Sequence, residues 1–344
     1  MLELAGQGLA NDEAIRFKAQ AGPFDGLVAG RDFRVAADGR LGELDLDLDL
    51  QVDDLARPVK SRLDLKVRGP GAEYLTSKFG VRNLGAGPLE LDGSIRPSTD
   101  GAGIVGELTG QVGQFSFQSR TELADPTEMR KLRSQLKIAG PDLSFAGGLA
   151  GFDNLPAESF RLAIDIERAG DAFRINEAVL AMADSRAEVS GSISQLEAFA
   201  GNDLRFSFKG ADLARFRALL DWPKAAAGAF DISGTIKASG DAELIDIQAT
   251  TTRGTLKVAG PLGASPDYHG TRLTFAASGP SLARVGELAG AGILPDVGFT
   301  GAGEFEWTET GAVIRQGQLQ AGADLLGLDG VIARKPLGPG TDVS

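Results

Sequence analysis

Histidine occurs once in this chain, at His269, and cysteine not at all. Thiolate metal sites, redox motifs and cysteine nucleophiles are thereby excluded. His269 stands in Asp267-Tyr268-His269-Gly270, loop text between two strands, and acid–base or metal chemistry there would need partner groups that the sequence does not supply. It reads as a solvated loop residue. Asp45, Asp47 and Asp49 form a row that invites a calcium reading. Carboxylates on one strand face lie about 7 Å apart, however, and calcium loops need converging oxygens around a tight glycine turn. A solvated outer face that discourages edge pairing fits better. Gly69-Pro70-Gly71 matches neither GxxxxGK[ST] nor GxGxxG, so it is a turn rather than a phosphate loop. Trp307 continues an apolar strand face, and Trp222 reads as packing a short helix on a sheet. These residues make no catalytic set and no metal or cofactor site; the expectation is a protein that is not an enzyme.

The bulk numbers agree. Apolar content is 42%, ordinary for a folded protein. Glycine, at 47 of 344 residues, is about twice its usual share of roughly 7%. Net charge is −12 with both signs interspersed, which argues against nucleic acid and against a polybasic membrane-surface patch. No run of 18 apolar residues exists, and the N-terminus lacks the basic and apolar regions of a signal peptide. Strand-like text at both ends suggests a segment excised from a longer chain.

Four times a short alternating strand ends in glycine: Leu63–Gly69, Leu136–Gly140, Leu204–Gly210 and Leu273–Gly279. The closing glycines are 71, 70 and 69 residues apart, with Pro70, Pro141, Ala211 and Pro280 after them. A fixed period means one supersecondary unit stacked on itself, and an elongated molecule. Twenty residues past each glycine a second alternating strand begins, at Leu89, Phe160, Phe230 and Phe299. Its inward positions continue as Leu91, Gly93, Ile95; Leu162, Ile164, Ile166; Ile232, Gly234, Ile236; and Gly301, Gly303, Phe305. The shared glycines Gly93, Gly234 and Gly303 mark a bend, a bulge or a close approach, and are read here as the place where the sheet curls most tightly. Turn signals follow at Asp100-Gly101, Gly170-Asp171, Gly240-Asp241 and Thr310-Gly311, and further strands close near Gly191, Gly260 and Gly330.

Between the two strands lies a candidate short helix. Asp212 caps Asp212–Trp222, with Leu213, Phe216 and Leu220 on one face, and Ser281 caps the fourth copy; Pro223 and Pro295 end the two segments. The first two copies carry a weaker signal, and Gly147-Gly148 weakens the second further. The organisation that results is a preceding unit over 1–61, repeats at 62–134, 135–203, 204–271 and 272–334, and a Pro/Gly tail at 335–344. Leu44–Val52 alternates without a break within the first of these.

Each sheet has one apolar face, and a single short helix cannot cover about five strands. The unit is too long for a closed solenoid coil of roughly 20–30 residues. The solution this leaves is an elongated, strongly curved antiparallel sheet whose inner face lines an apolar trough, suited to a molecule with a long apolar part and a polar end. A β-sandwich or solenoid core without cargo is the competing reading.

The cadence of strand, Gly-Pro, Asp-Leu, short helix, Pro, Phe-x-Ile-x-Gly-x-Ile, turn and Gly-x-Leu resembles the AsmA-like family of Gram-negative envelope proteins. Its best copy is Phe206–Leu256, and the resemblance covers residues 15–333. It implies a mainly β repeating groove with one short helix per repeat of about 70 residues, which carries phospholipid between inner and outer membrane. It also implies a periplasmic location, an inner-membrane anchor outside this chain, no cofactor, and acyl-chain lipid as partner. The expected lining is Leu63, Leu65, Val67, Leu89, Leu91, Ile95, Leu136, Ile138, Phe160, Leu162, Ile164, Ile166, Leu204, Phe206, Phe208, Phe230, Ile232, Ile236, Leu273, Phe275, Phe299, Phe305 and Trp307. The alternative function is a cargo-free scaffold or adhesin in envelope assembly.

Overall fold

A computed structural model describes residues 1–10, 13–71, 73–74, 86–124, 131–149, 151–152, 154–170, 172–194, 201–220, 225, 227–239, 242–263, 267–289, 294–309 and 311–333. Trp222, Pro223, Asp171, Gly240, Asp241, Thr310 and the tail at 335–344 lie outside them. The chain divides into two compact units, Met1–Leu149 with Ala157–Leu180, and Ala150–Pro156 with Ala181–Ser344.

The first unit is an antiparallel meander. Its strands are β1 (Leu2–Ala10), β2 (Glu13–Gly22), β3 (Arg31–Leu41), β4 (Leu44–Asp54), β5 (Arg62–Gly69), β6 (Leu89–Pro97), β7 (Ile104–Val112), β8 (Phe115–Leu123), β9 (Lys131–Gly140), β10 (Phe160–Ala169) and β11, which begins at Ala172. From β1 to β10 each strand pairs with the next. The second unit repeats the pattern with β12 (Ser185–Ile193), β13 (Asp203–Gly210), β14 (Phe230–Ser239), β15 (Ala242–Thr251), β16 (Gly254–Leu262), β17 (Arg272–Gly279), β18 (Phe299–Thr308), β19 (Gly311–Ala321) and β20 (Asp324–Ala333), each again beside the next. Hairpin connections and period-2 alternation favour this arrangement, because antiparallel neighbours need only short turns.

Register makes the sequence period physical. Every closing glycine pairs with the residue twenty positions on: Gly69 with Leu89, Gly140 with Phe160, Gly210 with Phe230 and Gly279 with Phe299. The missing side chain leaves room for the large one. A β-carbon on Gly210 would stand 2.7 Å from the Phe230 ring, and one on Gly279 equally close to Phe299. The helical segments then recur with one shared hydrogen bond. The amide three residues past the glycine donates to the carbonyl eighteen past it: Leu143 to Glu158 (2.8 Å), Leu213 to Gly228 (3.0 Å) and Leu282 to Val297 (2.8 Å).

Capping follows the side chains that the sequence marks. Asp212 Oδ1 accepts from the Ala214 and Gly228 amides at 3.1 and 3.0 Å, and Ser281 Oγ accepts from the Arg284 amide at 3.3 Å. The Asp212 segment is a single 3-10 turn, Leu213–Phe216, rather than an α-helix. The second copy does form a helix, Leu143–Leu149, despite Gly147-Gly148: Asp142 Oδ1 accepts from the Phe145 amide, and packing of Phe145 on Phe115 outweighs the glycine penalty. An unanticipated helix, Phe24–Ala29, follows the cap text Gly22-Pro23 at the opposite edge of the first unit's sheet, and none of its residues is buried.

Two expectations need correction. In neither unit is the sheet strongly curled. The glycines expected to bend it instead accommodate neighbours: a β-carbon on Gly234 would lie 2.9 Å from Phe206 Cζ, and one on Gly303 3.0 Å from Phe275 Cζ. Gly234 pairs with Phe206 without a break in register, while Gly303 faces a bulge between Ala302 and Glu304. The strands expected to close near Gly191, Gly260 and Gly330 end two or three residues past them, at Ile193, Leu262 and Ala333. Gly191 and Gly260 have φ of 131° and 146°, and the carbonyls of Asp203 and Arg272 occupy the space a side chain would need.

Candidate functional site

In each unit the meander sorts side chains onto two faces. In the first, the cross-strand pairs Leu65–Leu48, Leu63–Ile95, Val67–Leu91, Leu136–Ile164 and Ile138–Leu162 bring the expected lining residues directly opposite one another. The same face continues through Ile15, Phe17 and Val35 on one side and through Leu108, Val112, Phe115 and Phe117 on the other. In the second unit, Leu204 pairs with Ile236, Phe208 with Ile232, Leu273 with Phe305 and Phe275 with Gly303, and the face extends through Ile245, Ile247, Val258 and Leu319. The residues of β7, β8, β15 and β16 were missed by motif reading. Plain period-2 alternation was the signal there, diluted by Gly106 and Gly110.

The face is covered most heavily along one edge, while at the other Val52, Ile193 and Leu204 are also buried. Near each closing glycine a short segment lays its apolar side chains over the sheet. Tyr74 packs with Leu44 and Leu89; Phe145 and Phe160 meet Phe115; Phe216 and Phe230 meet Phe208 at ring separations of 4.7 Å each; Leu282 packs with Phe299 and Ala321. Leu89, Phe160, Phe230 and Phe299, all expected to line a trough, are therefore core residues, 1%, 4%, 4% and 9% exposed. Leu204 is buried as well. Elsewhere the face is partly open: Leu4 is 57% exposed and Ile95 and Leu108 are exposed, while Phe17, Leu256 (43%) and Leu326 (52%), two residues in from the helix edge, are open as well. Trp307 lies at the other end of β18, stacked on Phe305 with ring centroids 6.2 Å apart.

The opposite face is charged. Arg34 holds Asp49 in a two-point ion pair, Arg96 pairs with Asp64, and Arg120 with Glu107 and Glu122. The hydrogen bond from Arg34 keeps the Asp49 carboxyl below its ordinary range. Asp165 is held well below its ordinary value, first by Arg133 at 2.8 Å, then by Asn176 and Gln135. Asp45, Asp47 and Asp49 belong to this solvated face, and Asp45 and Asp49 meet arginines there rather than a common point. Two hollows open here as well, of about 730 Å³ over β1–β5 and about 490 Å³ over β15–β20.

His269 sits half-buried in the turn before β17, and among the described residues no group of His, Asp and Glu could hold a metal ion. No helix among them is long and apolar enough to cross a membrane. Comparison with family models, curated proteins and solved structures finds no match.

Proposed function

We propose that this chain is a lipid-handling segment whose apolar sheet face receives acyl chains. One observation carries the reading. Within each unit an apolar face runs through successive strands in register, and many of its leucines and isoleucines stay half-buried or, like Leu4, Ile95 and Leu108, exposed. Exposed apolar surface on this scale marks a binding surface. Hydrocarbon suits it because the face offers contact without directional polar groups. Each buried methylene contributes about 0.8 kcal/mol, so a tail is held firmly in total while a shift to an equivalent position changes little. The apolar face serves as a partly open surface with a packed edge rather than as a tightly curled trough. The family resemblance supports placing such a segment in a periplasmic, inner-membrane-anchored phospholipid carrier of the AsmA-like kind.

Mass spectrometry of gently extracted protein tests this reading. Co-purified phospholipid is the expected result, and Leu108→Glu with Leu256→Glu should deplete it while β-type circular dichroism persists, because both side chains are already partly hydrated. Protein that carries no lipid, and takes up none from vesicles, overturns the proposal in favour of a cargo-free scaffold.

A further inference from the structure

The larger hollow on the charged face supports a second site, independent of the apolar one. It spans β1–β5 within the first unit, has a volume of about 730 Å³, and is lined by five basic side chains, Arg16, Lys18, Arg40, Lys66 and Arg68, against three acids, Asp38, Asp45 and Asp47. That surplus of two positive charges stands in a chain whose net charge is −12.

Register locates the surplus. One row across β2–β5 reads Lys18, Asp38, Asp47, Lys66, each opposite the next, and its charges cancel, with Asp92 of β6 facing Lys66 beyond them. The adjoining row reads Arg16, Arg40, Asp45, Arg68 and does not cancel. Arg16 and Arg40 face each other directly, a like-charge pairing that destabilises a sheet unless something neutralises it. Asp45 is too loosely placed to do so, 3.6 Å from Arg40 Nε, while that same nitrogen donates to the Gly42 carbonyl. Glu90, the other cross-strand neighbour of Arg68, forms no ion pair with it among the described residues. Arg16, Lys18, Lys66 and Arg68 likewise lack a carboxylate within salt-bridge distance among those residues. One row further along, by contrast, Arg34 is clamped by Asp49 and Arg96 by Asp64.

Guanidinium forks match the paired oxygens of an oxyanion, and lysines at the rim add point charges. Strands about 4.8 Å apart put Arg16 and Arg68 on backbones about 14 Å apart, a span these long side chains can close from both sides. The hollow lies within the size range of small-ligand sites, roughly 300–1,000 Å³. We infer that the β1–β5 hollow binds a small phosphate-bearing anion through Arg16, Arg40 and Arg68. Its source is either a soluble phosphorylated compound or the headgroup of an anionic lipid.

Titration calorimetry of the full chain with inorganic pyrophosphate, paired with flotation on phosphatidylglycerol and phosphatidylcholine vesicles, tests the site. Saturable pyrophosphate binding is expected, weakened about tenfold or more in Arg16→Gln/Arg68→Gln as charge-assisted hydrogen bonds are lost. It should be tightened in Asp45→Asn and unchanged in Arg34→Gln. All four positions are exposed, and circular dichroism checks that each variant is folded. Flotation with phosphatidylglycerol alone, abolished by the double substitution, identifies a headgroup; pyrophosphate binding without flotation identifies a soluble compound. No saturable binding, or binding indifferent to Arg16→Gln/Arg68→Gln, overturns the site.

Discussion

Phe230→Ala separates the side chains that hold this fold from those that meet a ligand. The Phe230 ring is 4% exposed, lies over Gly210, and meets Phe208 and Phe216 edge-on at centroid separations of 4.7 and 5.9 Å. Truncating a ring so enclosed costs about 3–5 kcal/mol, since the backbone at Gly210 has no side chain that could fill the space. Leu256, on the same face but 43% exposed, has less area to lose, and Leu256→Ala should cost about 1 kcal/mol. Amide hydrogen exchange is the suitable assay, because a repeating meander can open locally. A loss of about 4 kcal/mol speeds exchange at the β13–β14 pairing by roughly 10³. Bound lipid measured on the same samples should move the other way, falling more in Leu256→Ala than in Phe230→Ala. Equal protection losses in the two variants would refute the division between a packed edge and an open face.

Gly234→Ala should destabilise by about 1–3 kcal/mol in urea, because the new β-carbon meets the Asp246 carbonyl at 2.6 Å and the Phe206 ring at 2.9 Å; a neutral result would mean that the ring is free to leave. Ser281→Ala removes the acceptor for the Arg284 amide and should cost about 1 kcal/mol, read as faster exchange in Leu282–Ala289. Asp165 has a folded-state pKa depressed below its unfolded value of about 3.9, so its stabilisation is complete above that pH and is lost as pH falls toward the folded value. Asp165→Asn should therefore flatten the acid limb of the stability profile below about pH 4, and an unchanged limb would contradict the Arg133 pairing.

The alternating strands were legible because period 2 is visible wherever one face is apolar and the other charged, as in Leu44–Val52 against Asp45, Asp47 and Asp49. The pairing of Gly69 with Leu89 and its three counterparts is implicit in a constant spacing of twenty residues. The role of the glycines was not legible. Glycine in a strand permits either a bend or a neighbour's close approach, and only the register, which sets Phe206 opposite Gly234, decides between them. The helix at Leu143–Leu149 was only weakly legible for a similar reason, since the contact between Phe145 and Phe115 spans thirty residues and overrides local propensity. The basic hollow was invisible because its three arginines come from three separate strands and stand 24 and 28 residues apart along the chain.

Concentrating the packing at one edge has a consequence for how such a face can evolve and act. The clusters around Leu89, Phe160, Phe230 and Phe299 bury large side chains against glycine backbone, and hydrogen bonds such as Leu213 to Gly228 tie each helical segment to its strand. These contacts recur at a fixed period, so stability arises locally, one repeat at a time. The open leucines and isoleucines between them contribute less to folding and need only remain apolar and in register. A surface that must hold many similar acyl chains weakly has the same requirement. Shape-specific packing would trap a chain at one position, whereas a row of interchangeable aliphatic side chains leaves neighbouring positions nearly equal in energy. Rigid edge and permissive face are thus two demands that one repeat satisfies with different residues.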